Sequence, residues 1–390
     1  MPLLWQSLQS DKELGTASRM SKAQELVFEL LLISTGAKST LSHLYTDKEW
    51  EEALDIAIEQ AIEGVLMSGL ETLQTVQGEG VMVHGSLPSK PVLLQWIGNA
   101  QIVEQTTLKM EEAANAVVKY FRENGFACQI LKGSAVARYY PQPLMRSSGD
   151  IDVWLDGGRK KIYDFARAFD KDGRLYGVNY HHIHFHLIED VHIEVHIWPS
   201  FLSSPLRNWR LHKFCNLHRP TMESSMPSLA FDRVFILLHC YRHMCGDGVG
   251  FRQVMDYFYV LRQGFTEEER TEAVKWIKKL GMGRFARGLM WVLQNVFGLE
   301  KQYMLMDADE KEGRFILNEI LLTGNMGHSD TRNWGSKKSP ISRFILNFRR
   351  DIYLAKHYPH EAIWQPVFSL WLYAWRLCKG LLKDREVDDD

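Results

Sequence analysis

Residues 182–197 carry the pattern that most restricts the fold. His182, His184 and His186 alternate with Ile183, Phe185 and Leu187. After Glu189-Asp190, His192, Glu194 and His196 alternate with Val191, Ile193, Val195 and Ile197. A helix repeats every 3.6 residues and would scatter these groups around its axis, whereas a strand sends alternate side chains to opposite faces. The segment therefore predicts an antiparallel hairpin with one apolar face and one face of imidazoles around a single carboxylate. Six of the 15 histidines fall between His181 and His196.

Short strand signals at 127–131 and 151–155 precede the hairpin, joined by Lys132-Gly133-Ser134 and a helix-like 135–140 that Pro141 and Pro143 break. Gly157-Gly158 then leads into a helix over 160–169. Upstream, Ser21 with Gln24 and Thr46 with Glu49 are capping-box pairs. Leu26, Leu30 and Ile33 follow the first; Trp50, Leu54, Ala57, Ala61 and Val65 make a stripe after the second. The segment 78–90 predicts a loop, and a long helix over about 93–123 ends at Asn124-Gly125. From Ser228 the chain is helical to its end, with breaks around 245–250, 264–266, 281–283 and 324–340. At 390 residues, two or three packed units are expected. The order predicts an α+β fold: a small mixed β-sheet core over 111–220, flanked by helical regions 1–110 and 221–390.

Charge and cysteine usage narrow the function classes. The net charge of −2 excludes a strongly basic nucleic-acid protein, but residues 1–80, with 5 Lys/Arg and 13 Asp/Glu, hold −8 and leave +6 for the rest. Five cysteines at 128, 215, 240, 245 and 378 make no disulfide framework. The start Met1-Pro2-Leu3-Leu4-Trp5-Gln6 has no leader pattern. The apolar stretch 362–377 is interrupted by Gln365, Pro366 and Arg376, and is shorter than the roughly 20 residues a membrane span needs. A cytoplasmic protein without a transmembrane segment is expected. Residues 332–356 hold seven Lys/Arg against Asp351, with Ile341, Phe344, Ile345, Phe348 and Ile352 on one helical face; Trp364, Phe368, Trp371 and Trp375 make a second stripe. Packing into the core is the simpler reading of these faces, and weak contact with an anionic surface is the other.

Asp150 and Asp152 stand two apart on the second strand, so both carboxylates leave from one face. Two such charges repel unless a cation lies between them, and a hard divalent ion, Mg²⁺ or Mn²⁺, takes oxygen ligands of this kind. Glu194 supplies a third oxygen if its strand lies beside the second one. Gly133-Ser134, joining a strand to a helix, lets an anion approach the backbone and meet a hydroxyl. The histidine rows compete for the same surface: zinc ligation and a polar wall around a substrate both suit them. His196, two residues from Glu194, reaches furthest toward the acids, with His192 beside them. His239 and His243 share a helix face near Cys240 and Cys245 but lack a protease-type glutamate and a second cysteine pair. His243 and Asp256 are read as lining an acceptor side.

Leu131-Lys132-Gly133-Ser134-Ala135, Tyr139-Tyr140-Pro141, Arg146, Gly149-Asp150-Ile151-Asp152-Val153 and Ile193-Glu194-Val195-His196 together resemble the nucleotidyltransferase superfamily related to DNA polymerase beta. Within it they are most similar to a bacterial group of nucleotidyltransferase family proteins, over roughly residues 24–300. The resemblance implies that Gly133 and Ser134 hold the triphosphate of an NTP, with Lys132 and Arg146 as phosphate contacts. Asp150 and Asp152 would bind Mg²⁺, and Glu194 would stand as the third acid. The implied reaction moves a nucleoside monophosphate to a hydroxyl acceptor, whether small molecule, protein or RNA end. A catalytically silent module holding a nucleotide or a protein on the same fold is the alternative.

Overall fold

Both predicted capping boxes form. In the computed structural model, Ser21 caps helix α1 (Lys22–Ser34) and Thr46 caps α2 (Asp47–Glu59), each exchanging hydrogen bonds with the residue three further on. The structure describes residues 20–78, 87–327, 332 and 340–381, with the backbone alone at 76–78, 326 and 340–346. The chain start, most of the expected loop 78–90 and the acidic tail 388–390 lie outside the described residues.

The stripe from Trp50 to Val65 is not one helix. α2 closes through Ala61 N–H to Ile58 O and Ile62 N–H to Ala57 O, with Ala61 at φ 54°, and α3 (Glu63–Gly78) starts anew. Helix α4 (Lys90–Glu123) runs unbroken through the 110/111 division and ends at Asn124-Gly125 as its sequence predicts.

The mixed sheet comprises β1 (Cys128–Ile130), β2 (Ile151–Leu155), β3 (His182–His184) and β4 (Ile193–His196), in the order β1-β2-β4-β3. β2 and β4 are parallel, while β1–β2 and β3–β4 are antiparallel. The short helix α5 (Ser134–Ala137) follows β1, and α6 (Gly158–Phe169) follows β2. Ile151, Val153, Ile183, Ile193 and Val195 are buried on the apolar face against α4 and α6. Phe121, Phe126 and Phe185 seal this core, with Phe121 5.3 Å from Phe185 and 6.2 Å from Phe126 between ring centroids. Each fully buried side chain of this size contributes about 1.5–3 kcal/mol.

The remaining helices are α7 (Pro205–Asn216), α8 (Leu229–Cys245), α9 (Phe251–Arg262), α10 (Glu267–Lys279), α11 (Gly283–Val296), α12 (Glu310–Thr323), α13 (Pro340–Leu354) and α14 (Pro359–Cys378). The charged residues Arg207, Arg210 and Lys213 blur the apolar period of α7, and no helix is anticipated there. The N- and C-terminal helical regions, expected as separate units, share one apolar core. Phe28 packs edge-on to Phe251 at 5.7 Å, Thr35 Oγ1 donates to Phe297 O at 2.9 Å, and Gln60 Nε2 to Ile320 O at 3.3 Å. The C-terminal stripes pack only in part: Phe348 and Ile352 on α13, and Trp364 and Trp371 on α14, are exposed, whereas Phe368 stacks on Phe201 at 4.8 Å and Trp375 packs against the sheet core; the side chains of Ile341, Phe344 and Ile345 lie outside the described residues. Among the described residues no helix is long and apolar enough to cross a membrane. The five cysteines are unpaired thiols, four of them buried.

His212 on α7 stacks on Trp198 at 3.8 Å and 9°. Burial, with a smaller push from Arg159, brings its pKa down to about 4. The folded protein then keeps this ring neutral while the unfolded chain protonates near pH 6.5. The stability tied to it is complete above pH 6.5 and is lost as pH falls toward 4. The urea midpoint is expected to drop across that window, and His212→Phe, which keeps the stack without the titration, to flatten the drop.

Candidate functional site

The parallel pairing of β2 with β4 builds the site. Its register sets Asp152 opposite Glu194 and Trp154 opposite His196, while the β3–β4 register sets His184 opposite Glu194 and His182 opposite His196. Period-two alternation puts Asp152, Glu194 and the histidines on the face away from the apolar core. α8 covers part of that face, with Phe231 stacked on Trp154 at 5.7 Å.

Lys132 follows β1 directly. Leu131 N–H donates to Asp152 O at 2.9 Å, extending the β1–β2 ladder and aiming Lys132 at the acids. Its Nζ lies 2.9 Å from Asp152 Oδ2 and 3.5 Å from Asp150 Oδ2. Burial works against the ammonium charge, but Asp152, Asp150 and Glu194 outweigh it and raise the Lys132 pKa. In return Lys132 lowers that of Asp150. The chain then turns through Gly133 at φ 59°, ψ −122°, a conformation only glycine adopts readily, and Ser134 opens α5.

On the other side of Asp152, His196 Nε2 sits 2.8 Å from Asp152 Oδ1 and 3.2 Å from Glu194 Oε2, and its Nδ1 is 3.3 Å from Trp198 O. Burial opposes its charge, but the bonds to Asp152 and Glu194 prevail and hold the imidazolium at about 9. Glu194 is largely buried, which alone would raise its pKa; His182 and His196 more than offset this and hold it well below the carboxylate range. His192 is exposed, with a ring nitrogen within 4.8 Å of carboxylate oxygens of both Asp150 and Glu194.

Arg146 and Asp256, expected on the phosphate and acceptor sides, instead form a buried bidentate pair. Arg146 Nε to Asp256 Oδ1 is 2.7 Å, Arg146 Nη2 to Oδ2 is 2.8 Å, and Tyr140 Oη donates to Oδ1 at 2.7 Å. The pair occupies Nε and Nη2, and Nη1 donates to Ser147 O at 3.3 Å.

The sequence reading missed Arg252, at the start of α9. It lies beside Gly149, where an added Cβ would stand in ordinary contact, 3.7 Å from Arg252 Nη1. That nitrogen donates to Ser147 O at 3.3 Å, and among the described residues no carboxylate lies within ion-pair distance of Arg252. Burial, then repulsion from Arg146, lowers its pKa. His239 and His243 on α8 lie beside Lys132 and Arg252, with their rings 4.4 Å apart. Burial, then Lys132 and Arg252, push His243 down to about 3. Cys240 points elsewhere, donating to Gln253 O, and among the described residues the groups able to ligate a metal all sit on the sheet face. No local period marks Arg252, because folding brings α9 to the strand.

The profile of a family described as uncharacterised nucleotidyltransferases matches residues 46–298, well over half of the chain. The chain belongs to that family. The matched region runs from the cap of α2 through the sheet to the end of α11 and includes Lys132, Asp150, Asp152, Glu194 and Arg252. No curated protein matches the chain, and no solved structure does.

Proposed function

We propose that this nucleotidyltransferase is Mg²⁺-dependent and transfers a nucleoside monophosphate from an NTP to a hydroxyl acceptor. The observation that carries the reading is the convergence of Asp150 and Asp152 on one cation, Lys132 Nζ, with Glu194 directly across the parallel ladder from Asp152. Carboxylate oxygens already gathered around an ammonium suit a hard divalent ion, so Asp150, Asp152 and Glu194 are the residues that would hold Mg²⁺ or Mn²⁺. When bound, such an ion neutralises charge on the phosphoryl oxygens.

The residues of the chain supply the rest. The turn at Gly133-Ser134 offers backbone and hydroxyl donors to the triphosphate, and Lys132 and Arg252 supply positive charge on the same side. In the transfer, the acceptor oxygen forms a bond to the α-phosphorus and the bond to the bridging oxygen breaks. The electron pair leaves with pyrophosphate, and the acceptor proton passes to a site carboxylate. His192 and His243 are proposed to border the acceptor.

The test is pyrophosphate release from each NTP with Mg²⁺ across small-molecule, protein and RNA hydroxyl acceptors. Release with one acceptor class is expected; nucleotide binding without release on any of them favours the silent module. Arg252→Gln is expected to weaken binding of a non-hydrolysable NTP by about 10–100-fold, the worth of one charge-assisted hydrogen bond, in a titration calorimeter. Unchanged affinity would remove Arg252 from the phosphate side.

A further inference from the structure

The oxygen ligands leave most of the imidazoles on the same sheet face without a role. We infer that His182, His184 and Glu194 form a second metal site, selective for a transition-metal dication of the Zn²⁺ or Co²⁺ class. The site goes beyond the nucleotidyl-transfer reading and shares with it only Glu194.

The backbone sets the three ligands. His182 and His184 leave β3 on one face, and Glu194 is the register partner of His184 on β4. One ligand atom from each lies within 4.8 Å of the others: His182 Nδ1 is 3.1 Å from Glu194 Oε2, and His184 Nε2 is 4.0 Å from Glu194 Oε1. A tetrahedral ion with ligands at about 2.0–2.2 Å needs them about 3.4 Å apart, a short adjustment from these distances.

Two further observations point to a ligand. His182 Nδ1 is buried, and its close polar neighbour is Glu194 Oε2 at 3.1 Å, in a geometry short of a well-aligned hydrogen bond. A buried nitrogen lone pair or N–H left in that condition is costly, and an ion between the two residues removes the cost. Gly177, at φ 51°, is shaped around His184: a Cβ there would meet the imidazole at 2.2 Å. Backbone and glycine together hold that ring in place.

The chemistry chooses the metal. Two imidazole nitrogens and one carboxylate suit zinc, cobalt or nickel over magnesium, which prefers oxygen throughout. The Glu194 charge partly offsets the dication. His196 makes a poor ligand, since Asp152, Glu194 and Trp198 O already engage both its ring nitrogens. A cleft of about 600 Å³ lined by His184, His186, Glu189, Asp190 and His192 gives access from solvent.

The experiment loads chelator-stripped full-length protein with Co²⁺ in excess Mg²⁺. One equivalent is expected, with the intense visible absorption of a four- or five-coordinate ion bearing imidazole. His182→Ala and His184→Ala should each weaken Co²⁺ binding by more than about 100-fold, a loss at least as large as that from removing a ligand's supporting partner. Gly177→Ala, which alters no ligand, should weaken it as well. Asp150→Asn should keep Co²⁺ while weakening Mg²⁺-dependent NTP binding, so either reading can fail alone. Full Co²⁺ affinity in both histidine variants overturns the site. Should those variants misfold, the wild-type spectrum decides: the weak absorption of a six-coordinate, all-oxygen ion overturns it.

Discussion

Asp152→Asn is expected to lower Mg²⁺-stimulated pyrophosphate release by about 10²–10³-fold, the scale set by removing one electrostatic contact from a buried reaction centre. Asp152 is the most enclosed of the three acids: its side chain is 1% exposed, against 36% for Asp150. It contacts Lys132 on one oxygen and His196 on the other. Asparagine keeps the shape and one acceptor oxygen but removes the charge that a divalent ion and both cations face. NTP binding measured without Mg²⁺ should change little, and the increment that Mg²⁺ adds should vanish. Asp150→Asn is expected to follow with a smaller loss, because its more exposed carboxylate can be replaced in part by water. If Asp152 only balances Lys132 and His196, the variant will lose stability and retain its Mg²⁺ response, an outcome that would falsify the metal-site reading.

The hairpin, both capping boxes and the acids on one face were legible because each depends on local period or spacing. Alternation over 182–197 specifies which residues face the core, and Ile183, Ile193 and Val195 are buried accordingly. Asp152 and Glu194 were nameable as residue types on a strand face, while their pairing is a long-range fact of the parallel ladder. The division into three units failed to anticipate a shared core because apolar stripes do not name their partners. Phe28 and Phe251 meet across more than two hundred residues. Arg252 escaped for the same reason. The stripe of Trp364, Phe368, Trp371 and Trp375 packs through Phe368 and Trp375 and leaves Trp364 and Trp371 exposed: amphipathic period says a face is apolar, and only the tertiary structure says how much of it is covered.

Arg146 is the sharpest instance, and it yields the largest expected effect on stability. An arginine just ahead of Asp-x-Asp invites a phosphate role, yet here it is buried with Asp256 and Tyr140, and Thr107 Oγ1 donates to its carbonyl at 2.9 Å. Burial works against the guanidinium charge; Asp256 prevails and raises the Arg146 pKa. Asp256→Ala strands that charge without a partner, and removing one member of a buried pair costs about 3–5 kcal/mol. The urea midpoint should fall accordingly. Because an apolar pair of similar volume avoids the desolvation cost altogether, Arg146→Met combined with Asp256→Leu should recover most of the loss. That recovery separates the two roles. A phosphate ligand would cost nucleotide affinity in the double variant however stable it became, whereas a structural clamp predicts restored stability with NTP affinity close to that of the parent protein.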